Sequence, residues 1–501
     1  YGILHWVGIV STAVASGFLY RFLRAAGAGI LTSVTLWAAV MGTPMVLAAG
    51  VSFLTDVPTM ALCLVSWTLF AEALRTSGTG ESQRSKVLVA TLFALLAALN
   101  RQNVILPFGV AMLIISGFRP AWRSILLPGA ALTIVSGLLA VALIGKLPYA
   151  VPVHPIAGLL TFIGWPDITI KFMVKFGIIS GLLVLPGVLF GIQLRKPSWP
   201  VAGLVFVWLL IFIILPMTAR HIEMFGPIFR LTVYGQYWTT MGVVVGGVHG
   251  FGDRISVPNL GYLWSAVGVI GNVASLALLA NQFRGTVSQV KARQSLDASS
   301  ILSLALMIFV VVQCVSLVPW LALNNMFDRY LLLIVPFVMA AHIAPSSDTP
   351  RLQHLRWGAV TIAACTVVWG AVATHDYFAY SRARMELYNE TLALGIAREN
   401  LDAGVEYNAD FQIRAEGKIN NRQMEPASAF DETRIAINVD YEPEKFPSVL
   451  AAYRISSSTF TTWSDGPLND KSGKPVERDY FTIIEGKRKM IVGHVSPSET
   501  P

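Results

Sequence analysis

Residues 87–117 read VLVATLFALLAALNRQNVILPFGVAMLIISG, an apolar run broken at its centre by Asn100-Arg101-Gln102-Asn103. As one helix the run would be about 46 Å long at about 1.5 Å per residue, against a hydrocarbon core of about 30 Å. It would also leave the polar tetrad in lipid, where a charged side chain costs about 2.5–3.5 kcal/mol on insertion scales. Two short helices, about 87–99 and 104–117, that meet at the tetrad remove both difficulties. They also return the chain to the side where Arg119 and Arg123 follow.

Working outward from this pair, twelve apolar stretches fill residues 1–374 and the basic residues fall in alternate loops. Arg21 and Arg24 follow the first stretch, and Arg75, Arg84 and Lys86 the third. Arg195 and Lys196 follow the seventh, Arg284, Lys291 and Arg293 the ninth, and Arg351 and Arg356 the eleventh. Short loops rich in Lys and Arg stay in the cytoplasm. The pattern predicts a mostly α protein, a polytopic transmembrane helical bundle of about 12 segments. The expected spans are about 2–20, 28–50, 57–74, 87–99, 104–117, 125–145, 172–193, 200–216, 261–280, 300–319, 329–343 and 357–374. An even number of crossings places everything after residue 374 outside the cytoplasm.

Composition agrees. The chain is 54% hydrophobic and only 13% charged, with a mean hydropathy of +0.61; soluble domains carry about 25% charged residues. The net charge of +8 reflects the basic loops and a mixed-sign tail. No block of basic residues interleaved with aromatics suggests a nucleic-acid groove. Cys63, Cys314 and Cys365 all lie in apolar stretches, so the tail has no disulfide framework. Residue 1 is Tyr rather than Met, and a preceding segment is expected. No repeat of fixed period is visible, which weakens an inverted-repeat transporter.

Residues 375–501 are a different material, expected to form a small α/β extracytoplasmic domain. An amphipathic helix is predicted over about 379–399, with Met385, Tyr388, Leu392 and Ile396 at helical spacing. Thr433–Tyr441 alternates like a strand, and Tyr480–Ile484 with Lys489–Val495 around Gly486 reads as a hairpin.

Charges at membrane depth need a reason. Asp56, in Phe53-Leu-Thr-Asp-Val-Pro58, can cap a helix with Pro58 in its first turn, or hold a sugar or a metal at the mouth of the bundle. Arg101 beside Gln102 can satisfy open carbonyls where two helices break, or hold a phosphate through its paired donors. Asn324-Asn325-Met326-Phe327-Asp328-Arg329-Tyr330 stands at the outer end of the eleventh stretch. An interfacial anchor explains Tyr330 but not the adjacent Asp328. His154, His221 and Glu223 in outer loops are weak metal candidates, and the sequon Asn389-Glu390-Thr391 is read as chance.

Three segments carry a resemblance. The Leu-Thr-Asp-Val-Pro turn into a span, the Asn-Arg-Gln break, and Asp-Arg-Tyr-Leu-Leu followed by Pro336 look like bacterial membrane glycosyltransferases of the type C fold. The group is the dolichyl-phosphate-mannose–protein mannosyltransferase and aminoarabinose transferase superfamily. The resemblance covers roughly residues 1–374 and rests on topology and loose motifs. It implies transfer of a sugar from a polyprenyl-phosphate donor to an acceptor on the outer face of the bacterial inner membrane. By resemblance Arg101 and Arg329 would hold the donor phosphate, and Asp56 would lie near the sugar or a divalent metal ion. Gln102, Asp328 and Tyr330 would support them. The family's catalytic acid lies in a first outer loop that would precede Tyr1, so the general base is not assigned. The implied partners are membrane lipid and the lipid-linked sugar, with no acceptor identified. A flippase of a lipid-linked sugar and a non-catalytic membrane scaffold are the rival expectations.

Overall fold

The computed structural model describes residues 2–51, 56–76, 81–144, 166–191, 260–292, 295–322, 328–344, 353–403, 453–457, 467–483 and 486–494. The helices are α1 (Gly2–Ala25), α2 (Ile30–Met41), α3 (Pro44–Val51), α4 (Asp56–Arg75), α5 (Glu81–Asn100) and α6 (Ile105–Phe118). They continue with α7 (Arg123–Ile144), α8 (Pro166–Gly191), α9 (Leu260–Lys291), α10 (Ala298–Ala322), α11 (Val335–Ile343) and α12 (Gln353–Ala393). Among the described residues six helices are long and apolar enough to cross a membrane, and four shorter apolar helices accompany them. This is a mostly helical bundle, but the six fall short of the expected count of about twelve. The expected span 200–216, the strand Thr433–Tyr441, and His154, His221 and Glu223 lie outside the described residues.

The break in residues 87–117 forms where the polar tetrad stands. Arg101 N–H still donates to the Ala97 carbonyl at 2.9 Å, and Val104 N–H closes a 3-10 turn onto the Arg101 carbonyl at 3.3 Å. Pro107 then falls in the first turn of α6, where no helical donor is lost. The turn reverses the chain, as helix α7 shows. Arg84 of α5 donates to Ser124 at 3.3 Å and Thr91 abuts Gly129, so α5 and α7 run parallel. Met112 of α6 faces Gly129 and Ile105 faces Gly137, so α6 runs antiparallel to both.

The other directions follow from pairs of the same kind. Phe18, Arg21 and Ala26 meet Thr68, Glu72 and Arg75 in order, so α1 and α4 are parallel. Helices α8 and α9 are also parallel: Ile178 meets Gly268, Gly181 meets Gly271 and Gly191 meets Leu278. Their backbones touch at glycines, the close approach that small residues allow in lipid, where association rests on packing and not on the hydrophobic effect. The α2–α3 segment, expected as one span, breaks at Gly42-Thr43-Pro44, where Gly370 of α12 packs onto the Gly42 carbonyl.

An aromatic layer fills the middle of the bundle. Trp67 of α4 lies 5.4 Å from Phe309 of α10 and 6.1 Å from Phe108 of α6. Phe337 of α11 lies 5.0 Å from Phe309. All four rings are fully buried. Each such pair is worth about 0.5–1.5 kcal/mol beyond its buried area.

Helix α12 differs from the expectation of a span followed by a separate amphipathic helix. It is continuous over 41 residues. Its second half carries a four-stranded sheet of β1 (Leu401–Asp402), β2 (Tyr453–Ser457), β3 (Glu477–Thr482) and β4 (Gly486–His494), in the order β1-β2-β4-β3. β1 and β2 are parallel and the other pairs antiparallel. The expected hairpin around Gly486 forms, with Gly486 at φ 75° closing it. The core beneath is separate from that of the bundle. Tyr380, Ala383, Leu387 and Tyr388 pack on Ile455, Tyr480, Met490 and Val492. The predicted stripe is corrected in two places: Met385 is exposed, because the sheet covers the face of Tyr380, Ala383, Leu387 and Tyr388, and α12 ends at Ala393, so Ile396 packs on the same core from beyond the helix.

Candidate functional site

The bundle has two chemically distinct ends. At one, Arg21 pairs with Glu72 at 2.5 Å, and Lys86 reaches the same carboxylate at 3.4 Å. Arg75 donates to the Ala26 carbonyl at 2.8 Å and to Ser299 at 3.2 Å. Arg123 donates to the Ser116 carbonyl at 3.1 Å. These are among the basic residues that the sequence placed in alternate loops, and the fold gathers these described ones at one end; Arg195, Lys196, Arg293 and Arg351 lie outside the described residues. Most are exposed or half-exposed, and Glu72 is the counterion that sequence inspection missed.

The other end holds the candidate site. Helix α4 separates the two ends by about 28 Å, at about 1.5 Å per residue from Asp56 to Arg75. Asp56 stands in the first turn of α4, where the helix dipole favours an anion. Its carboxylate receives both terminal nitrogens of Arg101, each at 2.9 Å. The Asp56 side chain is 0% exposed and that of Arg101 16%. The contact from Arg101 Nη2 to Asp56 Oδ2 is a charge-assisted hydrogen bond, and the contact between Nη1 and Oδ1 adds an ion pair. The Arg101 guanidinium lies 4.9 Å from the ring centre of Tyr330, within cation–π range. Beside it Asn100 donates to the Thr59 hydroxyl at 2.6 Å. Thr59 lies one turn after Asp56 on α4, so both helix-start residues clasp the start of the reversing turn.

The structure therefore brings together Asp56, Arg101 and Tyr330 from three distant parts of the sequence. Asp328 and Arg329 belong to the 3-10 turn Asp328–Leu333 that presents Tyr330, and Gln102 to the turn Gln102–Val104. The side chains of Gln102, Asp328 and Arg329 lie outside the described residues.

Two residues that sequence inspection passed over lie deeper. Ser316 of α10 donates to the Asn103 carbonyl at 3.1 Å and to the Gln313 carbonyl at 2.8 Å. Gln313 is fully buried, and neither atom of its side-chain amide has a partner among the described residues. The side-chain oxygen of Asn103 is likewise unpartnered. Gln313 lies one helical turn from Phe309, on the site side of the aromatic layer. A lone amide inside the apolar run of α10 was the available signal. Among the described residues no group of three or more His, Cys, Asp or Glu could hold a metal ion. Asp56 could supply one oxygen ligand to a cation only by exchanging Arg101 for it.

The chain is thus a mostly helical bundle with a small sheet, and six of its described helices are long and apolar enough to cross a membrane. No family model, curated protein or solved structure matches the chain.

Proposed function

We propose that the chain is a membrane glycosyltransferase that takes a sugar from a polyprenyl-phosphate donor at the end of the bundle opposite its basic loops. The observation that carries this is the buried Asp56–Arg101 pair stacked on Tyr330, at the mouth of three helices and next to Arg329 in sequence. Charges buried at membrane depth mark functional sites by default, because insertion alone would remove them. A donor phosphate would approach Arg101 and Arg329, whose guanidinium donors fit its oxygens in pairs. Asp56, freed from Arg101, would then face the sugar or a divalent ion.

The helix directions support an alternating topology of about twelve crossings. Parallel neighbours α8 and α9 need an odd number of crossings between them, and the apolar stretch 200–216 can supply one. With basic loops in the cytoplasm, the site and the C-terminal domain face outward in a bacterial inner membrane. A reporter active only in the cytoplasm, fused after Pro501, should be silent; activity there would reverse the orientation.

A second reading is favoured by one observation: the paired donors of Arg101 are already engaged by Asp56. On that reading the pair is a clasp that fixes the α5–α6 turn. The test is turnover and product binding with a panel of polyprenyl-phosphate sugars, for wild type and Arg329→Ala inserted in lipid nanodiscs. Loss of one charge-assisted contact to a developing anion costs on the order of a hundredfold in rate. Arg329→Ala should lose about that much, and Arg329→Lys should recover only part, since an ammonium lacks the paired geometry. Normal turnover in a stably inserted Arg329→Ala variant would make Arg329 an interfacial anchor. Absence of both turnover and polyprenyl-phosphate binding across the panel would leave the clasp.

A further inference from the structure

The C-terminal sheet is docked on α12 in one direction. Ile483 N–H donates to the carboxylate of Asp376 at 2.7 Å. Tyr480 meets Tyr380 edge to face at 6.0 Å. Arg478 reaches Glu390 at 2.7 Å. As β3 advances from 478 to 483, its partners on α12 retreat from 390 to 376. The strand therefore runs antiparallel to the helix, and the turn that joins β3 to β4 points towards the bundle.

The level of that turn follows from α12. Trp357, Val367 and Val368 are exposed apolar residues on its first half. About 29 Å of helix separates Trp357 from Asp376, at about 1.5 Å per residue, against a hydrocarbon core of about 30 Å. His375 and Asp376 are the first ionisable residues after this stretch. Asp376 is fully buried by its contacts with His375 and Ile483, so the carboxylate that ends the span also fixes the hairpin.

Side chains alternate across a strand. Arg478 and Tyr480 face the helix. Phe481 and Ile483 face away, 61% and 51% exposed, at the end of β3 nearest the span. On the same outward face Lys487 stands directly opposite Phe481 and reaches back to Asp479 at 2.7 Å, and further from the bundle Glu477 pairs with Lys489 at 2.6 Å. The outward face is thus graded: Phe481 and Ile483 at the bundle end with one long-stemmed lysine, Lys487, turned back to Asp479, and only ion-paired residues beyond. Such grading matches the passage from acyl chains to headgroups and water, where amphipathic surfaces bury their apolar part about 5–10 Å deep.

We propose that the β3–β4 hairpin is a membrane-contacting element, with Phe481 and Ile483 seated at the acyl–headgroup boundary of the bilayer that holds α12. The turn stands at the level where the apolar run of α12 ends, at Asp376, which identifies lipid as the occupant. Because the neighbouring lysines are already paired with carboxylates, the contact is apolar and does not depend on anionic lipid.

The test uses the full chain in lipid nanodiscs, with Cys63, Cys314 and Cys365 replaced by alanine and single nitroxide labels at Phe481→Cys and Ile483→Cys. Val368→Cys marks lipid and Ser472→Cys, in an exposed turn, marks water. Labels at 481 and 483 should show a several-fold loss of accessibility to an aqueous nickel chelate relative to 472, while staying accessible to oxygen as 368 does. The result should be the same in zwitterionic and anionic lipid. Nickel accessibility equal to that at 472 would place the hairpin in water, and protection from both reagents would mean that protein covers it; either overturns the proposal. The unmodified chain gives an independent check. A photoactivatable lipid should tag Phe481 or Ile483, and tagging confined to the helices refutes lipid contact even if a labelled variant fails to fold.

Discussion

Replacing Arg101 with alanine should expose the energetics of the candidate site. The change leaves Asp56 fully buried with its paired donors gone. Removing one partner of a buried ion pair costs about 3–5 kcal/mol, because an uncompensated charge stays behind. Asp56→Asn is gentler. It keeps the shape, and it leaves a guanidinium that is 16% exposed and still stacked on Tyr330 at 4.9 Å. That variant should lose about 1.5–3 kcal/mol, the worth of hydrogen bonds to a charged group. The decisive variant is the double, Asp56→Asn with Arg101→Ala. It has no stranded charge, so it should be more stable than Arg101→Ala alone by at least about 1 kcal/mol. Equilibrium unfolding in bicelles, followed by steric trapping, gives the three differences. If the two single losses add to the double within about 0.5 kcal/mol, Asp56 and Arg101 are not coupled, and the site described above is not a unit.

Other outcomes follow from packing and from the basic end. A methyl group on Gly370 would overlap the Gly42 carbonyl, and one on Gly181 the Gly268 carbonyl, whereas one on Gly285 meets nothing within 4 Å. Gly370→Ala and Gly181→Ala should each cost about 1–3 kcal/mol by overpacking, with Gly285→Ala near zero, measured by the same unfolding assay. Glu72→Gln breaks contacts to Arg21 and Lys86, whose side chains keep 52% and 36% exposure around a Glu72 that keeps 19%. It should cost no more than about 1 kcal/mol; a loss as large as that of Arg101→Ala would show that the basic end is far more desolvated than its exposure indicates.

The parts of this fold that could be read in the sequence were those with a local cause. The break at Asn100–Asn103 is forced by length and polarity, and it appears where the tetrad stands. The hairpin is announced by Gly486 between alternating runs. The parts that were missed depend on partners distant in sequence. His375 and Asp376 look like the end of a helix, yet α12 continues, because the sheet covers Asp376 and supplies a donor for its carboxylate. Residues 28–50 look like one span, yet Gly42 and Pro44 break it, and the close contact with Gly370 is the distant partner that the break admits. At the site, Asp56 and Arg101 could each be chosen from the cost of a charge in lipid. Their convergence could be expected too, since charges in lipid need each other or a charged ligand, but not their direct pairing, since each also had a sufficient local explanation, as a helix cap or as a hinge. Gln313 was overlooked because a single neutral amide barely changes the hydropathy of α10.

The two ends of the bundle differ in what a membrane alone can explain. At the basic end, Arg21 and Lys86 keep contact with solvent while binding Glu72. Orientation in a bilayer is reason enough for cations there. At the other end Asp56 is fully buried in the first turn of a transmembrane helix. A capping serine or threonine would end that helix equally well at no electrostatic cost. The fold instead keeps a carboxylate, a guanidinium to match it and an aromatic face against that guanidinium. Deeper in the bundle the Gln313 amide has no partner among the described residues. A buried polar group left unmet costs about 1–3 kcal/mol, and replacing a buried ion pair by apolar residues is often neutral or stabilising. Stability by itself therefore favours losing both features, and that cost is the physical ground on which the proposed binding of a charged ligand rests.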